Sequence, residues 1–114
     1  MERLRALCLS LPESSEVVTW GHPTFRARGK VFATCGVDED GQMSVTVKTD
    51  PMTQQALVRS GDRFRMADYV GRFGWVSMVI DDRADWAEVE VLVMASYRAV
   101  ASKRMVAALY RMEG

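Results

Sequence analysis

The feature that most restricts the fold of this chain is a run of side-chain alternation between residues 24 and 48, broken twice by turn residues. Phe25 and Ala27 alternate with Thr24, Arg26 and Arg28. Beyond Gly29, Val31, Ala33, Cys35 and Val37 alternate with Lys30, Phe32, Thr34 and Gly36. Beyond Asp38-Glu39-Asp40-Gly41, Met43, Val45 and Val47 alternate with Ser44, Thr46 and Lys48. Successive Cβ atoms of a strand point to opposite faces of a sheet, so each segment reads as a strand with one apolar and one wet side. Gly29 permits a tight turn, and Asp-Gly between alternating segments is a strong hairpin signal. The expectation is a three-stranded antiparallel meander.

The flanks supply the covering layer. Leu4, Leu7, Cys8 and Leu11 recur at helical spacing within residues 2–11, and Pro12 stops that helix. Residues 13–19 form a polar connector that turns apolar at Val17-Val18, with room for a short edge strand. Trp20, His22 and Pro23 form a structural corner: Gly21 allows a sharp bend and Pro23 holds His22 extended. Thr49 or Asp50 can cap a helix that begins at Pro51 and ends near Ser60-Gly61, with Met52, Ala56 and Leu57 inward and Gln54 and Gln55 in solvent. Residues 63–66 make a short fourth strand, residues 69–74 a glycine-flanked loop and residues 75–80 a fifth strand. From about residue 85 the period becomes helical, with Trp86, Val89, Leu92, Val93, Ser96, Tyr97 and Val100 on one stripe. Residues 103–112 repeat the pattern, as a separate helix or after a bend at Ala101-Ser102. The order α-β(3)-α-β(2)-α predicts a two-layer α+β fold. Helices cover one face of a mostly antiparallel five-stranded sheet in one domain spanning residues 1–114.

Composition narrows the function more by exclusion than by indication. A chain of 114 residues with 48% hydrophobic content can bury a sufficient core without staples. Its two cysteines, Cys8 and Cys35, sit among apolar neighbours and read as buried thiols; two cannot make a four-ligand structural zinc site, and no metal or cofactor is expected. No apolar run reaches the roughly 18 residues of a membrane helix, and the first residues lack a leader's uncharged core, so no membrane partner and a cytoplasmic location are expected. Fifteen acids balance fifteen bases, but unevenly: residues 24–36 hold three bases and no acid, whereas residues 81–90 hold five acids and one arginine.

No catalytic residue is expected. His22 is the sole histidine and has no evident partner, no serine sits in a nucleophile elbow, and the glycines form no phosphate-binding loop. The acids at 81–90 are explained by a helix start. One constellation remains. If Phe25, Val31 and Val45 face the helices, the open face collects Arg26, Arg28, Lys30, Phe32, Thr46 and Lys48, joined by Trp75 if the register allows. Cations that neutralise phosphates beside aromatic rings that stack on bases suit DNA or RNA, and suit other anionic ligands as well. The alternative is a non-catalytic interaction domain that forms a homodimer through the same face. A second candidate is the loop at residues 68–75, where Arg65 and Arg72 flank three aromatic residues.

The run WGHPTFRARGKVFA at residues 20–33, VTVKT at 45–49 and Ala95-Ser96-Tyr97 together resemble the YjbR/MmcQ family of small bacterial proteins. The resemblance covers nearly the whole chain. It implies the same two-layer arrangement, and a DNA-binding role that rests largely on fold analogy.

Overall fold

The computed structural model describes residues 2–37, 40–67 and 70–113. Most of the acidic turn at Asp38-Glu39, and Asp68-Tyr69 of the second candidate loop, lie outside the described residues. The elements are α1 (Glu2–Leu9), β1 (Ser14–Thr19), β2 (His22–Ala27), β3 (Lys30–Val37), β4 (Met43–Lys48), α2 (Pro51–Arg59), β5 (Phe64–Met66), a 3-10 turn (Gly71–Phe73), β6 (Trp75–Ile80), α3 (Trp86–Val100) and α4 (Lys103–Glu113). The six strands lie in the order β1-β2-β3-β4-β6-β5, every neighbouring pair antiparallel. The fold is α+β as expected, with one strand more than the five anticipated.

The added strand is β1, and a turn explains it. Thr19 pairs with His22, so Trp20 and Gly21 form a two-residue hairpin loop, with φ of 54° and 78°. Ala27 pairs with Lys30 around Arg28-Gly29, with φ of 49° and 87°. Positive φ at both central residues matches the right-handed twist of the flanking strands, which is why such turns close hairpins. The expected corner at Trp20–Pro23 is thus a hairpin turn running into the start of β2. Neither tryptophan nor arginine favours the left-handed region, so neither turn carries the usual asparagine-glycine signature.

Helices and inward strand residues share one core. Leu4 and Cys8 of α1, Val89, Leu92, Val93 and Tyr97 of α3, and Met105 and Leu109 of α4 cluster with Phe25, Ala33, Cys35, Val45, Val47, Val76 and Met78. Burial pushes the Cys8 thiol up to about 12 and raises that of Cys35, as two buried unreactive thiols require. Asp50 caps α2 by accepting from the Thr53 amide at 2.8 Å, with Pro51 at the first helical position. Asp85 does the same for α3.

Two expectations fail within this core. Phe32 is fully buried, not on the open face. Phe25 pairs with Ala33 but Arg26 pairs with Val31, so Phe32 is the extra residue of a β-bulge and is rotated towards the helices. There its ring meets Tyr97 edge-on, centroids 5.3 Å apart. Gln54 is buried, not solvent-side, whereas Met52 and Ala56 are exposed. The Gln54 amide nitrogen donates to the carbonyls of Gly71 (2.6 Å) and Trp75 (2.9 Å), tying α2 to the 3-10 turn and the start of β6.

The Ser96-Tyr97 pair locks α3 to the sheet. Ser96 Oγ donates to the Phe32 carbonyl at 2.6 Å and accepts from the Lys48 amide at 2.9 Å, bridging β3 and β4 beside the bulge. Tyr97 Oη donates to the Pro12 carbonyl at 2.7 Å and fastens the segment after α1.

Candidate functional site

The face turned away from the core carries a transverse row of hydroxyls. Cross-strand pairs run Val17–Thr24, Thr24–Thr34, Thr34–Thr46, Thr46–Ser77 and Ser77–Arg65. Neighbouring strands lie about 4.8 Å apart, so Thr24 to Arg65 spans about 19 Å across five strands. The row follows from the alternation: each member flanks a core residue along its strand, and threonine is both a good strand former and tolerant of water. Thr24 Oγ1 donates to the Val17 carbonyl at 2.6 Å, and the Thr46 and Ser77 hydroxyls are 2.7 Å apart.

Above this row lies an open hollow of about 560 Å³. It is bordered by Thr19, Trp20 and His22 on one side, by Arg65, Ala67 and Val70 on the other, with Gly36, Ser44 and the hydroxyl row between. Among the described residues none of its lining side chains is acidic. Gly36 lacks a side chain in the floor beside His22, where a Cβ would lie 3.9 Å from Nδ1. Arg26 lies along the same face: its Nε donates to Thr24 Oγ1 at 3.2 Å and its Nη2 to Thr19 Oγ1 at 3.1 Å. At the rim Trp20 is 93% exposed, so its indole is held out by the hairpin with almost no contact to the rest of the molecule.

The residues singled out from the sequence are therefore not one cluster. Arg26 and Arg65 share the open face. Arg28 sits in the β2–β3 turn with its Nε 3.5 Å from a Glu13 carboxyl oxygen, and Lys30 is exposed beside it. Lys48 instead lines a second hollow with Phe73, Pro51 and Leu92, Ala95 and Ala99 of α3. Arg72 stacks over the Phe73 ring at 4.8 Å from its centroid, and Trp75 pairs with Lys48 at the end of the ladder, outside the hydroxyl hollow. The corner residues Trp20 and His22 belong to the hollow's border, a role their positions alone did not signal. The hydroxyl row was legible in principle, since Thr24, Thr34, Thr46 and Ser77 occupy the wet positions of four strands, but its register depends on the bulge at Phe32.

Among the described residues no group of three or more histidine, cysteine or acidic side chains could hold a metal ion, and no helix is long and apolar enough to cross a membrane. A family model described as YjbR matches residues 9–99. The fold is similar to the crystal structure of Deinococcus radiodurans protein DR2400, which carries a DUF419 domain. The TM-score is 0.77 at 19% identity, over 95% of this chain and 86% of that one. No curated protein matches significantly. With its helix-backed sheet and a family match across most of its length, the chain belongs to the YjbR family.

Proposed function

We propose that the protein is a non-catalytic binding domain that takes single-stranded nucleic acid across its open sheet face. The observation that carries this reading is the exposed Trp20 indole at the rim of a hydroxyl-floored hollow whose described lining holds no acid. An aromatic ring with both faces free offers a stacking platform for an unpaired base, a contact available to any base and worth about 1–3 kcal/mol. Arg65 and Arg26 are the cations within reach of a backbone laid along the row; Thr34 and whichever of Thr46 and Ser77 does not donate within their pair can donate to phosphate and sugar oxygens, Thr24 having given its proton to the Val17 carbonyl. A duplex is less suited, because its bases are already stacked and unavailable to Trp20.

Fluorescence anisotropy with labelled single-stranded and duplex oligonucleotides tests this. The expected result is a preference for single strands, with affinity falling as salt rises along a log-log slope of about −1.4 if two arginines each meet a phosphate. Absence of binding at low salt, or equal binding of duplex that Trp20→Ala does not affect, refutes the reading.

A further inference from the structure

We propose that the outer face of α3 is a self-association surface on which a second copy of this chain docks, antiparallel and two-fold symmetric, with the axis near Met94. This inference is independent of nucleic-acid binding, because the surface lies on the helical layer and leaves the open sheet face uncovered.

The surface is out of keeping with an ordinary solvent-facing helix. Amphipathic helices that cover a sheet present a charged side to water, whereas a helix apolar on all sides is normally covered on all sides. The inner stripe of α3 is Val89, Leu92, Val93, Ser96 and Tyr97, all buried. Its exposed residues are Ala87, Glu88, Glu90, Val91 and Arg98, with Ala95 and Ala99 turned to the Lys48 hollow, so that apolar side chains interrupt the charged ones. Val91 is 64% exposed, and the half-buried Met94 follows it on the same side. Ala87, Glu90, Val91, Met94 and Arg98 line one shallow groove of about 380 Å³. The apolar area continues onto α4 through the exposed Tyr110, whose ring lies 5.8 Å from the Arg98 guanidinium.

The charges identify the occupant. Glu90 and Arg98 are eight residues apart, about 12 Å along the axis at 1.5 Å per residue, with Met94 midway. When two such helices cross antiparallel at Met94, Glu90 of each copy comes beside Arg98 of the other, twice by symmetry. A two-fold interface must be self-complementary, and this pattern is: apolar at the centre, opposite charges placed equally on either side. The small Ala87 in the groove permits close approach of the backbones.

Sedimentation equilibrium of the full chain from micromolar concentrations upward reads the association. The expected result is a monomer–dimer equilibrium that Glu90→Arg and Arg98→Glu each weaken about ten-fold or more, since each change places two like-charged pairs in the interface. The double variant E90R/R98E restores dimerisation, and circular dichroism shows all variants folded, as expected for exposed positions. Cross-linking gives a second readout. Because Cys8 and Cys35 are buried, Met94→Cys should oxidise to a covalent dimer, whereas Val17→Cys on β1 should not. A monomer at all concentrations, a dimer indifferent to the charge swaps, or cross-linking through Val17→Cys in place of Met94→Cys overturns the proposal.

Discussion

Trp20 combines an unfavourable backbone with an unsupported side chain. A bulky residue at φ 54° costs about 1–2 kcal/mol relative to its usual conformations, and at 93% exposure its indole regains almost nothing by burial. Trp20→Asn should therefore raise stability by about 1 kcal/mol in urea unfolding while weakening oligonucleotide binding, since asparagine tolerates the left-handed region. Lowered stability would show that the indole supports the fold instead. Ser96 is the opposite case. Its hydroxyl satisfies the Phe32 carbonyl and the Lys48 amide at once, so Ser96→Ala should cost about 2–3 kcal/mol in the same assay and leave binding by the folded fraction unchanged. The spacing of the sequence places Ser96 on the inner stripe of its helix. It could not name these partners, because they depend on where the β2–β3 bulge at Phe32 and the end of the β3–β4 ladder at Ala33–Val47 fall. Gln54 was misread for a similar reason: a glutamine on a short helix is ordinarily solvated, and only the carbonyls of Gly71 and Trp75 draw it inward.

The helices were legible where chemistry marks their ends, as at Asp50-Pro51 and Asp85, and the three strands of the meander where alternation marks their faces. β1 was only partly so, since SSEVVT does not alternate and its turn lacks the favoured residues. What holds β1 to the helical layer includes an ion pair: Arg5 Nε and Nη2 donate to Glu16 Oε1 (2.6 Å) and Oε2 (3.1 Å). The Arg5 hydrogen bonds hold the Glu16 carboxyl below the usual carboxylate range. A depressed folded value means the pair contributes above the unfolded carboxyl value of about 4.3 and is lost as pH falls through the lower folded value. Stability of the wild type should thus decline more steeply below about pH 4 than that of Glu16→Gln, as followed by thermal unfolding across pH, and high salt should shrink the difference. The junction before β6 is the most constrained backbone. Gly74 has φ 93°, and a Cβ there would lie 2.0 Å from the Thr49 carbonyl oxygen, whose residue is itself bonded to Gly74 through its amide at 2.9 Å. Gly74→Ala should destabilise by more than the roughly 1 kcal/mol of an unfavourable φ alone, seen as a lowered midpoint in thermal unfolding.

At the scale of the molecule the two layers divide the work. The helical side holds the buried thiols, the Ser96 and Tyr97 tethers and the core; the open side presents hydroxyls in register, with Trp20 at one end and Arg65 at the other. The sequence indicates an open face without acids, and among the described residues no acid lines the hydroxyl hollow, although Asp62 borders the adjoining one. It overstates the positive charge there, since Arg28 and Lys30 lie at the β2–β3 hairpin end and Lys48 lines the hollow beside α3, placements that alternation alone does not set. The account predicts weak, salt-sensitive binding that is centred on the hollow. Amide chemical-shift mapping with a short single-stranded oligonucleotide tests this most directly. The predicted perturbations centre on residues 19–24, 34–36, 44–46 and 65–67 and on Ser77; perturbations confined to the hollow around Lys48 and Phe73 or to the outer face of α3, or none at all, would contradict it.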